Sequence, residues 1–264
     1  MGYPEFLYKY LPLNQQNRGR VEDIFVNNRI YFCSPKEFND PFDCCVELSP
    51  DGTEDEWRDY LLGVLGYEQP NVGQCERRKQ VDRIIKAGKY RQIDPGVITR
   101  SIHTLGIYCL SAVKDEILLW SHYSEKHTGM VLEFKSRPGD TPFGRAQPVE
   151  YREQYPNVSM IGTDIDRWRA LVLTKSKHWE YEKEYRIIDQ QNGPGLCDFP
   201  DHLLAGVILG CKMPERMKAD VRQWISARSK KPLIYQAVKM NREFRVSIEA
   251  EAKDLIRKDD QLAQ

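Results

Sequence analysis

The sequence predicts an α+β chain, a mixed and mainly antiparallel sheet core carrying a helical insert. Three observations support this. Short strand-like segments of apolar and aromatic residues recur from one end to the other, among them LYKYLPL, RIYFCSP, LGIYCLSA and MVLEF. A charged block from Thr53 to about Arg100 has helical periodicity instead. Near the end, LLAGVILGCK is an almost unbroken apolar run, the pattern of a strand buried on both faces. There is no internal repeat and no linker-like stretch. The expectation is therefore a single α+β domain over 1–264, with the insert at about 53–100 and a short C-terminal tail.

Each element follows from local chemistry. In LYKYLPL rings and Leu alternate with Lys9 until Pro12 ends the strand. Val21, Ile24 and Phe25 fall at helical spacing in residues 18–28, which close on Asn-Asn. RIYFCSP is a second strand, and FNDPFDCCVEL a turn with a short third strand. Thr53 followed by Glu56 is a capping box that starts one helix, and CERRKQVDRIIKAG is a second amphipathic run. LGIYCLSA at 105–112 is a strand, residues 115–129 a helix ending at Gly129, and MVLEF and PVEYRE strands. Residues 163–178 read as helical, and EKEYRII, with its β-branched Ile, as a strand. In PERMKADVRQWISARS, Met217, Val221, Trp224 and Ile225 share one helix face. PLIYQAVK and REFRVSIEAE form a closing hairpin, and KDDQLAQ is a frayed tail.

Composition narrows the function classes. Lys plus Arg and Asp plus Glu number 39 each, so there is no global field to attract nucleic acid. No apolar run approaches the roughly 18 residues of a membrane span. The first residues carry neither a secretory pattern nor a myristoylation pattern. Seven Cys, none spaced CxxC, argue against a disulfide framework or zinc site and for reduced thiols in a cytoplasmic protein.

Four clusters are candidates for chemistry. Tyr8 and Tyr10 flank Lys9, pointing opposite to it on a strand. Asn39, Asp40 and Asp43 surround Pro41 between Phe38 and Phe42, a composition that suits a rigid turn and also a rim that reaches a ligand. In Trp120-Ser121-His122-Tyr123, His122 is a candidate for a cleft. His127 lies about 500° further around a helix, so the pair is no zinc motif. Glu180, Glu182, Glu184 and Arg186 alternate, and if extended they share one face, where Arg186 can orient a working carboxylate. A buried ring pair, a plain turn, a core His and a solvated edge strand explain the same four clusters without any chemistry.

Taken in order, LYKY, IYFCSPKEFNDPFDC, GIYCLS, LLWSHYSEKHTGMVLEF, VEY, KSKHWEYEKEYRI and GVILGCK resemble the bacterial and phage-associated family catalogued as domain of unknown function 2971. The resemblance runs from about residue 7 to 248. More distantly, the block order is similar to ADP-ribosyltransferase-like folds, especially DarT-like toxins and RNA 2′-phosphotransferases. That likeness places a small hydroxyl residue in IYFCS, at Ser34, and a catalytic Glu at the start of the strand Glu184 to Ile188. The first-strand His or Arg of that superfamily is replaced by Lys9 with its flanking tyrosines.

The distant resemblance implies an NAD-consuming mono-ADP-ribosyltransferase-like enzyme. It would act on a protein or nucleic-acid acceptor, as a toxin or anti-phage defence effector with an antitoxin or regulatory partner. Breaking the nicotinamide–ribose bond passes through an oxocarbenium-like sugar, which a carboxylate stabilises. Glu184 takes that role, with Glu182 second and His122 and Tyr123 beside them. Tyr8, Tyr10 or Tyr123 would stack on a ring of NAD. Lys9 or Arg186 would pair with its diphosphate, and Ser34, Asn39 and Asp40 would complete the cofactor-binding set. Two readings stand beside this one. One is a metal-dependent nuclease using Asp40, Asp43, Glu182 and Glu184. The other is a non-catalytic recognition module.

Overall fold

A computed structural model describes residues 2–88, 90, 102–139, 142–161 and 165–251, the stretch 165–168 as backbone. The expected end of the insert and the expected tail lie outside the described residues. In chain order the elements begin with β1 Phe6–Leu11, α1 Arg18–Val26, β2 Arg29–Phe32 and β3 Glu47–Ser49. Next come α2 Glu54–Glu68, α3 Gln74–Lys86, β4 Gly106–Ser111, α4 Ile117–Tyr123 and β5 Met130–Lys135. After these are β6 Gln147–Pro148, β7 Glu150–Arg152, β8 Asn157–Ser159, α5 Ile165–Leu173 and β9 Thr174–Ser176. The chain continues with β10 Glu184–Asp189, β11 Gly195–Asp198, β12 Leu204–Leu209, α6 Glu215–Ser226, β13 Leu233–Lys239 and β14 Val246–Ala250. This is the expected α+β class with a mixed, mainly antiparallel sheet.

The chain divides into two compact units. The first holds Met1–Glu37, Leu105–Val149 and His178–Gln264, and the second Phe38–Thr104 and Glu150–Lys177. The first unit is built on an eight-stranded sheet in the order β14-β13-β12-β5-β1-β4-β10-β6. Its β12–β13 pair is parallel, while the other pairs are antiparallel. One face packs Leu7, Leu110, Leu132 and Val207 against Val21, Ile24 and Phe25 of α1 and Val221, Trp224 and Ile225 of α6. The other face presents Tyr8, Tyr10, Val131 and Ile208 to Leu119 and Trp120 of α4. The apolar run at 204–209 is a central strand, as its composition demands.

The second unit combines α2 and α3 with two small parallel pairs, β3–β8 and β7–β9. Trp57, Leu61 and Leu65 pack on Val81 and Ile85 in the core between the two helices. The capping box is present: the Thr53 side chain accepts from the Glu56 N–H, and the Glu56 carboxylate accepts from the Thr53 N–H at 2.7 Å.

Two expected boundaries move. The helix expected over 115–129 stops at Tyr123, because Glu125, Lys126 and His127 adopt left-handed φ of 52°, 55° and 71°. The chain then passes so close to β1 that a Cβ on Gly129 would sit 2.2 Å from the Leu11 carbonyl oxygen. The helix expected over 163–178 ends at Leu173, where Thr174–Ser176 turns to strand and pairs with Glu150–Arg152.

Candidate functional site

The first unit's sheet gathers its polar groups in one row. Tyr8 lies opposite Glu133 on one side and Ser111 on the other, and Ser111 lies opposite Glu184. Directly opposed residues project to the same face, so the four side chains form a line across four strands. At about 4.8 Å per strand, Glu133 and Glu184 mark ends roughly 14 Å apart. Each of the four is buried, between 5 and 8 % exposed.

At one end, Arg186 stands two residues beyond Glu184 on the same face of β10. Its Nε and Nη2 donate to the two Glu184 oxygens at 2.8 and 3.1 Å. Arg186 has no exposed surface. A desolvated bidentate pair of this kind fixes the carboxylate's plane and keeps its charge compensated. In the middle, Ser111 Oγ donates to the Glu182 carbonyl at 2.6 Å and accepts from the Val113 N–H. This ties the end of β4 to the 3-10 turn Lys177–Glu182.

At the other end, Glu133 accepts from Lys114 Nζ at 3.4 Å and stands directly opposite Tyr8. The Lys114 ammonium lies over the Tyr8 and Tyr235 rings, 5.5 and 5.8 Å from their centroids. Burial, then the Glu133 charge, pushes the Tyr8 hydroxyl well above its ordinary pKa. Gly206, opposite Glu133, makes room for this end: a Cβ there would meet Glu133 Oε1 and Tyr235 Cε2 at 3.0 Å each.

Aromatic residues border the same face. Tyr123 and Tyr181 pack against the cluster that contains Tyr8 and Tyr10. Edge contacts link His122 to Tyr123 and to Trp179, and Trp179 tilts against Tyr181. His122 is exposed. Tyr10 is part of the core, donating to the Val113 carbonyl at 3.1 Å and packing edge-on to Trp120.

Of the residues singled out from sequence, Tyr8, Tyr10, Glu184 and Arg186 share this sheet face, and α4 and the 3-10 turn bring His122, Tyr123 and Glu182 to the elements around it. The four-residue alternation is not extended throughout: Glu180 and Glu182 lie in the 3-10 turn, and only Glu184 and Arg186 are on the strand. Lys9 points to the opposite face, donating to the Cys109 carbonyl at 2.9 Å with its ammonium over Tyr108. Ser34 is buried beyond β2, next to the Cys33–Ile107 bridge, and its hydroxyl accepts from the Lys36 N–H. Ile107 is four residues from Ser111, roughly 14 Å along β4.

Asn39 and Asp40 belong to the second unit. Asn39 is exposed, and Asp40 Oδ1 accepts from the Phe42 N–H at 2.9 Å, a local turn bond. The Asp43 side chain is buried with that of Lys175, Oδ2 to Nζ 3.7 Å. Ser111, Lys114 and Glu133 were not singled out from sequence. The available signal was Glu133 itself, a lone acid inside the apolar strand MVLEFK.

Residues 119–187 match the family model described as "Protein of unknown function (DUF2971)", which supports the likeness expected from the sequence blocks. The matched span includes His122, Tyr123, Glu133, Glu184 and Arg186. No curated protein and no solved structure matches the chain.

Proposed function

We propose that the chain is an NAD-consuming, ADP-ribosyltransferase-like enzyme acting on a protein or nucleic-acid target, with Glu184 as its working carboxylate. The observation that carries this reading is the buried, bidentate Glu184–Arg186 pair at one end of a polar row on a sheet face bordered by aromatic residues. A negative charge held rigidly in a desolvated place is suited to a sugar that becomes cationic as its nicotinamide bond breaks. In this mechanism the bond from ribose C1′ to the nicotinamide nitrogen breaks, and the electron pair leaves with nicotinamide. Glu184 holds the ribose 2′-OH and stabilises the positive charge at C1′. An acceptor nucleophile then bonds to C1′ and gives up its proton to the Glu184 carboxylate, which acts as base.

Arg186 positions Glu184 and, being fully buried, leaves the diphosphate to the partly exposed Lys114. Ring stacking falls to His122, Tyr123 and Trp179, since Tyr8 and Tyr10 are committed to the core. A toxin or anti-phage role is supported only by the family resemblance. The metal-dependent nuclease has less support: among the described residues no group of three or more His, Cys, Asp or Glu could hold a metal ion.

The test is nicotinamide release from NAD by the purified chain, with and without protein and nucleic-acid acceptors. Wild type turns NAD over, and Glu184→Gln loses about 10²- to 10⁴-fold while keeping its circular dichroism spectrum. A Glu184→Gln protein as active as wild type would refute the assignment, as would a wild type inert with every acceptor.

A further inference from the structure

We propose that a cleft in the second unit binds a guanidinium side chain presented by a partner polypeptide. The cleft has a volume of about 560 Å³ and is wholly separate from the NAD chemistry in the residues it uses. Its walls include Phe42, Cys45, Glu47 and Tyr155, with Lys175 of β9 also lining it. Two large rings stand open to solvent here, Phe42 at 64 % and Tyr155 at 47 % exposure.

Local bonds order the turn that carries Phe42. The Cys45 thiol donates to the Pro41 carbonyl at 3.5 Å. The Phe42 backbone is fixed by its bond to Asp40. A turn whose backbone is ordered in advance loses little freedom when a ligand covers it. The FNDPFDCC turn is thus the rim of a cleft, and it presents Phe42 rather than the side chains of Asn39 and Asp40.

Charge selects the ligand. Lys175 is paired with the buried Asp43 side chain, Arg152 with Glu150 at 2.8 Å and Glu153 with Lys177 at 3.3 Å. Glu47 has no ion-pair partner among the described residues, and its backbone N–H is bonded to the Pro156 carbonyl. The cleft thus offers a cation two aromatic rings and a carboxylate with no ion-pair partner, while its cations Lys175 and Arg152 each already face a carboxylate. A guanidinium uses both, stacking on a ring and pairing in two-pronged fashion with a carboxylate.

The experiment is fluorescence anisotropy on the full chain with a labelled, end-capped pentapeptide carrying a central arginine among glycines. The same peptide with citrulline, which keeps the shape and lacks the charge, is the control, and unlabelled oligothymidine is the competitor. The arginine peptide binds, and citrulline weakens it by about tenfold or more. Glu47→Gln and Phe42→Ala, both at exposed positions, each weaken the arginine peptide to a similar degree with unchanged melting temperature. The proposal is overturned by equal binding of the two peptides, by no arginine-peptide binding at millimolar concentration, by indifference to both substitutions, or by displacement with oligothymidine.

Discussion

Glu184 and Arg186 show how much a two-residue offset on one strand can accomplish. Period-two geometry places both side chains on one face, and burial makes each necessary to the other. Arg186→Gln removes the two-pronged cationic partner of a buried carboxylate and should destabilise the protein by about 3–5 kcal/mol. Replacing both, as Glu184→Leu with Arg186→Met, should recover most of that loss, and thermal melts of the three proteins check it. The double variant stays inactive if the catalytic assignment holds. This pair was legible in the sequence because the alternation lies within one strand. The role of Glu133 was not, because its neighbours Tyr8, Lys114 and Gly206 come from elsewhere in the chain and meet it only through sheet register. Lys9 illustrates the converse. Its flanking tyrosines were read correctly as facing the other way, yet only the sheet order shows that its own side has no part in the polar row.

At the scale of elements, local signals were read well where the chain decides its own geometry. The Thr53 capping box is one, and Thr53→Ala should lower the melting temperature by about 2–4 °C through loss of the cap at α2. Boundaries governed by neighbours were read less well. The helix at 117–123 ends early because Gly129 must pass the Leu11 carbonyl and because the Gly129 carbonyl accepts from the Gly210 N–H at 2.9 Å. Gly129→Ala adds a methyl against backbone that has no room to yield. It should destabilise by about 1–3 kcal/mol or more, seen as a lower denaturation midpoint and reduced soluble yield. The run Glu180 to Arg186 alternates perfectly in sequence, yet Glu180 to Glu182 lie in a 3-10 turn, where the Ser111 hydroxyl and the Ala112 N–H donate to the Glu182 and Lys183 carbonyls.

For the whole molecule, titration sets the limits of the native state. The carboxylates of Asp23, Asp201 and Asp220 are held below their ordinary range, chiefly by hydrogen bonds from Arg29, Ser229 and Arg18. Their contribution is present above the unfolded value near pH 4 and is lost as pH falls through the lower folded values; it is modest, because these groups are near the surface. Burial raises the tyrosines instead: Tyr3 goes to about 12, and Tyr8, Tyr10 and Tyr108 higher. That stability is complete below the unfolded value near pH 10 and disappears as pH rises above it. Melting temperature should therefore hold a plateau from about pH 5 to 9 and fall on both sides, with tyrosinate absorbance appearing as the alkaline limb unfolds. By itself the sequence determined the α+β class, the faces of the helices and strands and where most of them lie, because periodicity, caps and glycine stops act between residues a few positions apart. Tertiary structure alone decided that Glu133, Tyr8, Ser111 and Glu184 stand in one row, and that Phe42 and Tyr155 face one cleft. Such meetings depend on strand order and loop closure between segments distant in the chain, and no local periodicity encodes them.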